Sequence, residues 1–427
     1  MNNDVSALLA RLDNGQRAID RRDKRYRGVH DLRYATTDID GDLKHFGVNL
    51  CALAVDAVAE RMRIKRFRVL VGSRDVTQTA VRSWTRSHMD QRLMPLLVDV
   101  LALGAAYLVV WPTAPGRPVI TPESARHMVC AYHPVTREVT GAVKRWAEYD
   151  EHGVLVGTHV VHYGPTAIVH YRQPHGSGQL VELSRVHNPL GVVPVVPLVN
   201  VQRIGDEGGT SVIDDLAHLV DALGKLLADM LVASEDVARP RRWATGVDLD
   251  DDEDDDGFIA DEDPGVLDDE DDDRPAVSPF DSGNRMFTVE SPDAKFGQLP
   301  GADLAGYKTG VELVLQQIMA VSALPAHMMG ITTSNPASAD AIRSAEASLT
   351  ARAESRISVL GIGLEKALAL SVAFADHVDP DDVEVKIRWA NPATRSTAQE
   401  ADAVTKLFSL GIMDLAEARE LMGLVEL

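Results

Sequence analysis

Between Ala302 and Asp376 two helical patterns are joined by a stretch that cannot itself be helical, and this arrangement constrains the fold more than any other feature. Leu304, Tyr307, Val311, Val314, Ile318 and Val321 recur three and four residues apart, which predicts a helix over about 303–322 with one apolar face. The next residues include Leu324, Pro325, His327, Met328, Met329, Gly330, Thr332, Asn335 and Pro336, and the two prolines and the glycine stop helix propagation. A second apolar face, Ile342, Ala345, Leu349, Ala353, Ile357, Leu360, Leu364, Leu368 and Val372, then runs to about Ala375. At 1.5 Å per residue that helix is about 55 Å long, more than the breadth of a small domain. Helices of this length serve as the spine of an elongated subunit, a coiled coil or a repeat.

The flanking segments predict an α+β chain. Amphipathic helices are expected at 5–23, 43–62 and 79–102, the last with Pro95 as a kink, and a strand at 66–71. From 104 to 191 the period changes to two, with β-rich runs at 106–111, 128–132, 141–149, 154–163 and 167–172. These predict one antiparallel sheet, so that about the first 200 residues form a single α+β domain. Gly208, Gly209, Thr210 and Ser211 then signal the start of a helix carrying Val212, Leu216, Leu223 and Met230, which Pro240 ends. Two short strands are expected at 241–245 and 285–289, a third at 383–389, and terminal helices at 396–410 and 415–422.

Charge and cysteine content exclude several classes. No apolar run in the sequence approaches the roughly 20 residues of a membrane span, and no signal peptide is visible at the start. Cys51 and Cys130, each among apolar neighbours, predict two buried small hydrophobes rather than a disulfide or a zinc site. The net charge of −21 is local: 17 acidic residues lie within 248–273, and without them the charge falls to −4. The N-terminal cations Arg17, Arg21, Arg22, Lys24, Arg25 and Arg27 are interleaved with Asp20 and Asp23, a pattern that suits either nucleic-acid contact or a salt-bridged surface.

Three motifs invite chemistry. Gly301, Gly306, Lys308 and Thr309 approach a phosphate-binding loop, but Tyr307 separates the glycine from the lysine that must follow it, and no strand precedes. His159, His162 and His170 lie in strands without a carboxylate or cysteine at ligand spacing. Asp252, Asp254, Asp256 and Asp263 occupy positions 1, 3, 5 and 12 of a calcium loop with Gly257 at position 6. There, aspartate replaces the usual terminal glutamate and Pro264 denies the exit helix, so a solvated acidic loop is the competing reading.

A set of phrases in order along the chain carries a resemblance. They are Tyr26-Arg-Gly, Asn49-Leu-Cys-Ala-Leu-Ala-Val-Asp, Glu60-Arg-Met, Tyr107-Leu-Val-Val, Pro194-Val-Val-Pro-Leu-Val-Asn200, Gly209-Thr-Ser, Ser322-Ala-Leu-Pro325, Asn335-Pro-Ala-Ser-Ala339, Ala341-Ile, Glu346-Ala and Trp389-Ala-Asn-Pro392. Together they resemble the portal proteins of tailed double-stranded-DNA phages, of the long-tailed siphophage type.

The resemblance implies a non-enzymatic subunit, without cofactor or membrane, of a ring of twelve at one capsid vertex of the virion. It is assembled in the host cytoplasm, and double-stranded DNA passes through it during packaging and ejection. Implied partners are the terminase large subunit, a head-tail adaptor, and the major capsid and scaffolding proteins. By position, 1–205 corresponds to an α+β wing and 206–238 to a first stem helix with Leu216, Leu223 and Met230. Residues 239–300 correspond to a clip with Arg241, Arg242, Trp243 and Phe287, and 301–322 to a second stem helix with Val311 and Ile318. Residues 323–338 correspond to a tunnel loop, 339–390 to the long wing helix and a strand, and 391–427 to a short crown. A self-standing nucleotide-dependent translocase and a non-viral oligomeric scaffold are the alternative readings.

Overall fold

The computed structural model describes residues 2–29, 48–114, 116–206, 208–238, 242–245, 293, 295–298, 304–331, 338–393, 397–415 and 418–419. The chain forms two compact units, one of Met1–Lys225 with Glu312–Leu427 and the other of Leu226–Val311.

In the larger unit, helix α1 (Asn2–Tyr26) is followed by α2 (Leu50–Ala59), which Asn49 caps by accepting from the Ala52 amide at 3.2 Å. Strands β1 (Ile64–Val71) and β2 (Arg74–Asp75) lead into α3 (Thr77–Arg86) and α4 (Met89–Leu103). The single helix expected over 79–102 is therefore two, and the break lies at Ser87 and His88, not at Pro95. The Ser87 hydroxyl donates to the Ser83 carbonyl at 2.6 Å and accepts from the Ile120 amide at 2.8 Å, while His88 takes a left-handed φ of 52°. Pro95 sits inside α4; it removes one backbone donor, whereas the left-handed residue redirects the chain.

The residues expected to form one sheet make two. Strands β3 (Ala105–Ala114) and β4 (Arg117–Ser124) pair with β10 (Val195–Val199) in the order β10-β3-β4. Strands β5 (Met128–Tyr132), β6 (Val139–Tyr149), β7 (Leu155–Tyr163), β8 (Ala167–Pro174) and β9 (Val181–His187) form a five-stranded meander. Periodicity alone misses β4 because it contains Pro118 and Pro122, and the fold accommodates both by placing β4 at a sheet edge. Val5 and Leu8 of α1 pack on Val143, Val160, Val169 and Tyr171 of the meander, which gives that helix its buried face.

After α5 (Ala217–Ala238) comes a two-stranded sheet of β11 (Arg242–Thr245) and β12 (Lys295–Gln298), then α6 (Leu304–Ser322) and α7 (Ala339–Asp376). Strand β13 (Val383–Trp389) pairs with β1, and α8 (Thr397–Ser409) follows. The expected strand at 285–289 and most of the expected helix at 415–422 lie outside the described residues; the strand that meets β11 is β12. Helix α7 is long and apolar enough to cross a membrane, but 67% of its most apolar window is buried within the protein, as in a core helix. It packs against β3, β10 and β13, so closely that a Cβ on Gly363 would stand 2.3 Å from Leu198.

Both cysteines are fully buried, and burial pushes the Cys51 thiol up to about 11 and raises Cys130 as well. The folded protein is expected to resist a thiol-exchange reagent at neutral pH, with both thiols titrating only in denaturant. Rapid reaction of either in the native state would contradict this packing.

Candidate functional site

The candidate tunnel loop begins where α6 stops itself. Ser322 donates to the Ile318 carbonyl at 2.6 Å and accepts from the Leu324 amide at 3.2 Å, and Ala323 takes a φ of 59°, which turns the chain out of the helix. Leu324 and Pro325 are buried, so the base of the loop is anchored in the larger unit. A single 3-10 turn, Ala326–Met329, follows, with His327 exposed and Met328 and Met329 half-buried. Gly330 closes it at a φ of 72°, donating to the Ala326 and His327 carbonyls, a conformation that favours glycine. Thr332 and Asn335 lie outside the described residues. Ser338 then caps α7 by accepting from the Ala341 amide at 3.2 Å.

Helix α7 meets the loop through Glu346 and the end of α6 through Arg352. Glu346, buried, receives Arg61 Nη2 at 3.0 Å on one carboxylate oxygen and faces His327 Nε2 at 3.2 Å with the other. One helical turn and a half further on, Arg352 donates to the Val321 carbonyl at 2.6 Å, satisfying a carbonyl left open at the end of α6. Arg356 reaches the Val201 carbonyl at 3.5 Å, and burial, then the neighbouring Arg352, lowers its pKa from the ordinary value. In the sequence Glu346-Ala is visible only as a phrase of the resemblance; its buried pairing with Arg61 and His327 has no local signal there.

Two other phrases, Pro194 to Asn200 and Gly209-Thr-Ser, meet in space. Asn200 donates from its amide to the Gly104 carbonyl at 2.9 Å and from Nδ2 to the Thr210 carbonyl at 2.6 Å, while Thr210 returns a backbone bond to Asn200 at 3.0 Å. Ser211 Oγ donates to the Ala102 carbonyl at 2.5 Å and accepts from the Ile213 amide at 3.0 Å. This knot delays the helix: residues 212–216 are turns, and α5 starts at Ala217 rather than at Val212. Arg22 clamps the same place from α1, with Asp214 at 2.5 Å and the Leu103 carbonyl at 2.6 Å. Arg25 forks onto Asp221 at 2.8 and 2.9 Å. The interleaved N-terminal charges thus form, in large part, a salt-bridged surface, with Arg27 on Asp23, Arg126 on Asp23 and Arg145 on Asp13 adding to it.

Among the expected stem residues, Leu216 is buried in the turns before α5, Leu223 is buried on α5, Met230 and Val311 are half-buried, and Ile318 is fully buried. In the smaller unit Trp243 of β11 lies opposite Gly297 of β12, and a Cβ there would come within 2.3 Å of the indole. The glycine leaves room for a ring that is nonetheless 42% exposed. Arg242 belongs to the same strand, whereas Arg241, Phe287 and the calcium-loop candidates Asp252, Asp254, Asp256 and Asp263 lie outside the described residues.

The histidines do not converge. His159 and His170 stand 2.9 Å apart under Trp146, with Glu148 3.3 Å from His159, but His162, an odd number of residues from His159, turns to the opposite face. The arrangement is a stacked aromatic cluster tied by the Arg172–Glu148 pair at 2.7 Å. Burial, then His159, lowers the His170 pKa. A strand, β12, does precede the stretch 301–309, contrary to the expectation, but Gly306 sits in the first turn of α6 with Lys308 and Thr309 following inside the helix, Tyr307 still separates glycine from lysine, and Gly301 lies outside the described residues.

Residues 8–426 match the family described as "Phage portal protein, SPP1 Gp6-like". The chain belongs to the phage portal protein family. This portal chain is 28% identical over 386 residues to the portal protein of Mycobacterium phage L5, spanning 87% of this chain and 74% of that protein. It is 28% identical over 388 residues to the portal protein of Mycobacterium phage D29, spanning 87% and 75%. In structure it is similar to a chain in the virion of a native gene transfer agent particle, with a TM-score of 0.44 and 16% identity over 88% of this chain and 89% of that one. A chain in the neck of an empty particle of the same kind gives 0.46, at 16% identity and the same coverage. The portal family is a structural one, and this portal chain is a mixed helix-and-sheet member of it.

Proposed function

We propose that this portal chain forms a ring of twelve at one capsid vertex, through which double-stranded DNA enters during packaging and leaves at ejection. The match to the portal family over nearly the whole chain carries this reading. It is supported by apolar side chains that the isolated subunit leaves exposed on its helices: Val232 and Val237 on α5, Leu313 on α6, and Val359 and Ile362 on α7. Such side chains gain burial from lateral neighbours in a cyclic assembly. Negative-stain imaging of the purified protein is expected to show rings with a central hole; a uniform population of monomers would sink the reading.

In this assignment residues 1–205 with α7 form the wing, α5 and α6 the stem, 239–300 the clip and 391–427 a short crown. The terminase large subunit and then the head-tail adaptor dock on the clip, and capsid and scaffolding proteins surround the wing. The protein hydrolyses no nucleotide itself. A Lys308→Ala variant should therefore leave any trace ATPase of the preparation unchanged.

The loop 323–338 lines the narrowest point of the hole. It contains no lysine, arginine or carboxylate, so DNA, with one charge per about 1.7 Å of axis, meets no fixed cation that would hold it. His327→Lys is a poor test, because Glu346 would neutralise the new charge. Ile331, exposed at the far end of the turn, is the better position. Ile331→Lys is expected to slow packaging several-fold while rings still form; packaging at the parental rate would remove the loop from the DNA path.

The tract 248–273 cannot form an apolar core and serves as an acidic docking or solubilising segment of the clip. Replacing it with a short Gly/Ser linker should leave rings intact and weaken binding of the terminase or adaptor. Docking that is indifferent to both the deletion and added salt would reduce the tract to a solubility role.

A further inference from the structure

Helix α7 carries two arginines that the subunit holds without an anion. Arg352 and Arg356, four residues apart, are both half-buried. Their acceptors are backbone carbonyls, that of Val321 at 2.6 Å for Arg352 and that of Val201 at 3.5 Å for Arg356. Burial first, and then the charge of Arg352, lowers the Arg356 pKa. Among the described residues no carboxylate pairs with either guanidinium. The acids beside these segments are engaged elsewhere: Asp206 accepts from the Arg203 amide at 2.9 Å, and Glu346 is shared by Arg61 and His327. A half-buried cation is costly unless an anion faces it.

The complementary charge lies on the far side of the same helix. With 3.6 residues per turn, Glu354 stands about 160° around α7 from both Arg352 and Arg356. It is exposed, and among the described residues no cation pairs with it. Exposed around it are Ala351, Ser355 and Ser358, small side chains that permit close approach, and then Val359 and Ile362, already placed in lateral contacts. A carboxylate carried into such a contact has to meet a cation.

We infer that Glu354 of one copy pairs with Arg352 and Arg356 of the next around the ring, so that each subunit completes its neighbour's site. This rests on the ring reading above. A head-to-tail contact joins two different patches of one chain, and α7 presents half of an ion pair on each of two faces. Guanidinium forks match a carboxylate, and a glutamate on its flexible stem reaches a recessed pair. The phosphates of a DNA duplex fit less well, because these arginines are turned onto backbone carbonyls of their own subunit.

The test follows ring assembly of the full chain by sedimentation velocity across a concentration series. Glu354→Gln, at an exposed position, should keep the thermal midpoint of the unassembled chain and raise the concentration for half-assembly by about 10-fold or more. Arg356→Gln should also raise it, and the double variant should match Glu354→Gln, because the anion is lost once. Added salt should weaken assembly of the parent more than that of Glu354→Gln. Glu354→Gln rings that form at the parental concentration would overturn this inference and leave the ring reading standing, whereas a parent that forms no rings at any concentration would overturn both. Glu207, which follows Asp206, lies outside the described residues. If Glu207→Gln raises the half-assembly concentration and Glu354→Gln does not, the carboxylate belongs to the same chain and the inference falls. It falls too if Arg356→Gln assembles normally but binds a short DNA duplex more weakly than the parent, since the arginines would then face phosphate.

Discussion

Asp221→Ala is expected to cost about 3–5 kcal/mol of stability, the range for removing one partner of a buried ion pair. The Asp221 carboxylate is 1% exposed and the Arg25 side chain 10%, and the guanidinium forks onto both carboxylate oxygens while also donating to the Ala217 carbonyl at 2.9 Å. This pair joins α1 to the first turn of α5. Without the carboxylate, a guanidinium that cannot lose its proton is left buried against α5 without the anion it forks onto. Arg25→Ala is expected to be similarly damaging for the converse reason. A double variant, Arg25→Met with Asp221→Leu, should recover most of the loss, because the desolvation of both charges disappears with their attraction. Denaturant midpoints of the three variants check this. Single variants that lose less than about 1 kcal/mol would mean the pair is solvated in the protein as it exists, since exposed pairs have that worth.

Gly209→Ala is expected to destabilise the protein by about 2–5 kcal/mol, combining about 1–2 for a left-handed residue with a Cβ and about 1–3 for overpacking. Gly209 has a φ of 74°, and a Cβ built on it would stand 2.0 Å from the Gly104 carbonyl oxygen, an atom held by the Asn200 amide. Backbone on both sides must therefore shift, and the knot among Asn200, Thr210 and Ser211 that starts α5 shifts with it. Gly208→Ala is the control, because nothing lies within 4 Å of its added methyl group. The thermal midpoint of Gly208→Ala should match the parent's, and that of Gly209→Ala should fall by several degrees. Equal midpoints for the two variants would show that residues 104 and 209 approach each other less tightly in solution.

The elements of this portal chain are legible wherever their cause is local. The stripe from Ile342 to Val372 marks α7, and the prolines and Gly330 mark the loop before it, because periodicity and φ preference act within a few residues. The alternation at 383–389 marks β13 but is silent about its partner; β1 is chosen by inward burial of Phe67, Val69 and Val385, contacts between segments at opposite ends of the chain. The division of the central strands into two sheets is illegible for a related reason, since β4 owes its place to an edge that tolerates proline. The break at His88 leaves no local mark because Ser87 acts through β4, on the Ile120 amide.

The site divides along the same line. Sequence alone determined an uncharged loop between two helices, an acidic tract that cannot enter a core, and an ordered set of phrases characteristic of a portal chain. Tertiary structure alone decided what the charged residues do. Arg22 and Arg25 are consumed in pairs with Asp214 and Asp221, and Glu346 is committed to Arg61 and His327. Helix and turn preferences come from bonds and clashes within about four residues, which a sequence displays directly. The use of a charge depends on which distant backbone burial brings beside it, and that is decided only when the chain folds.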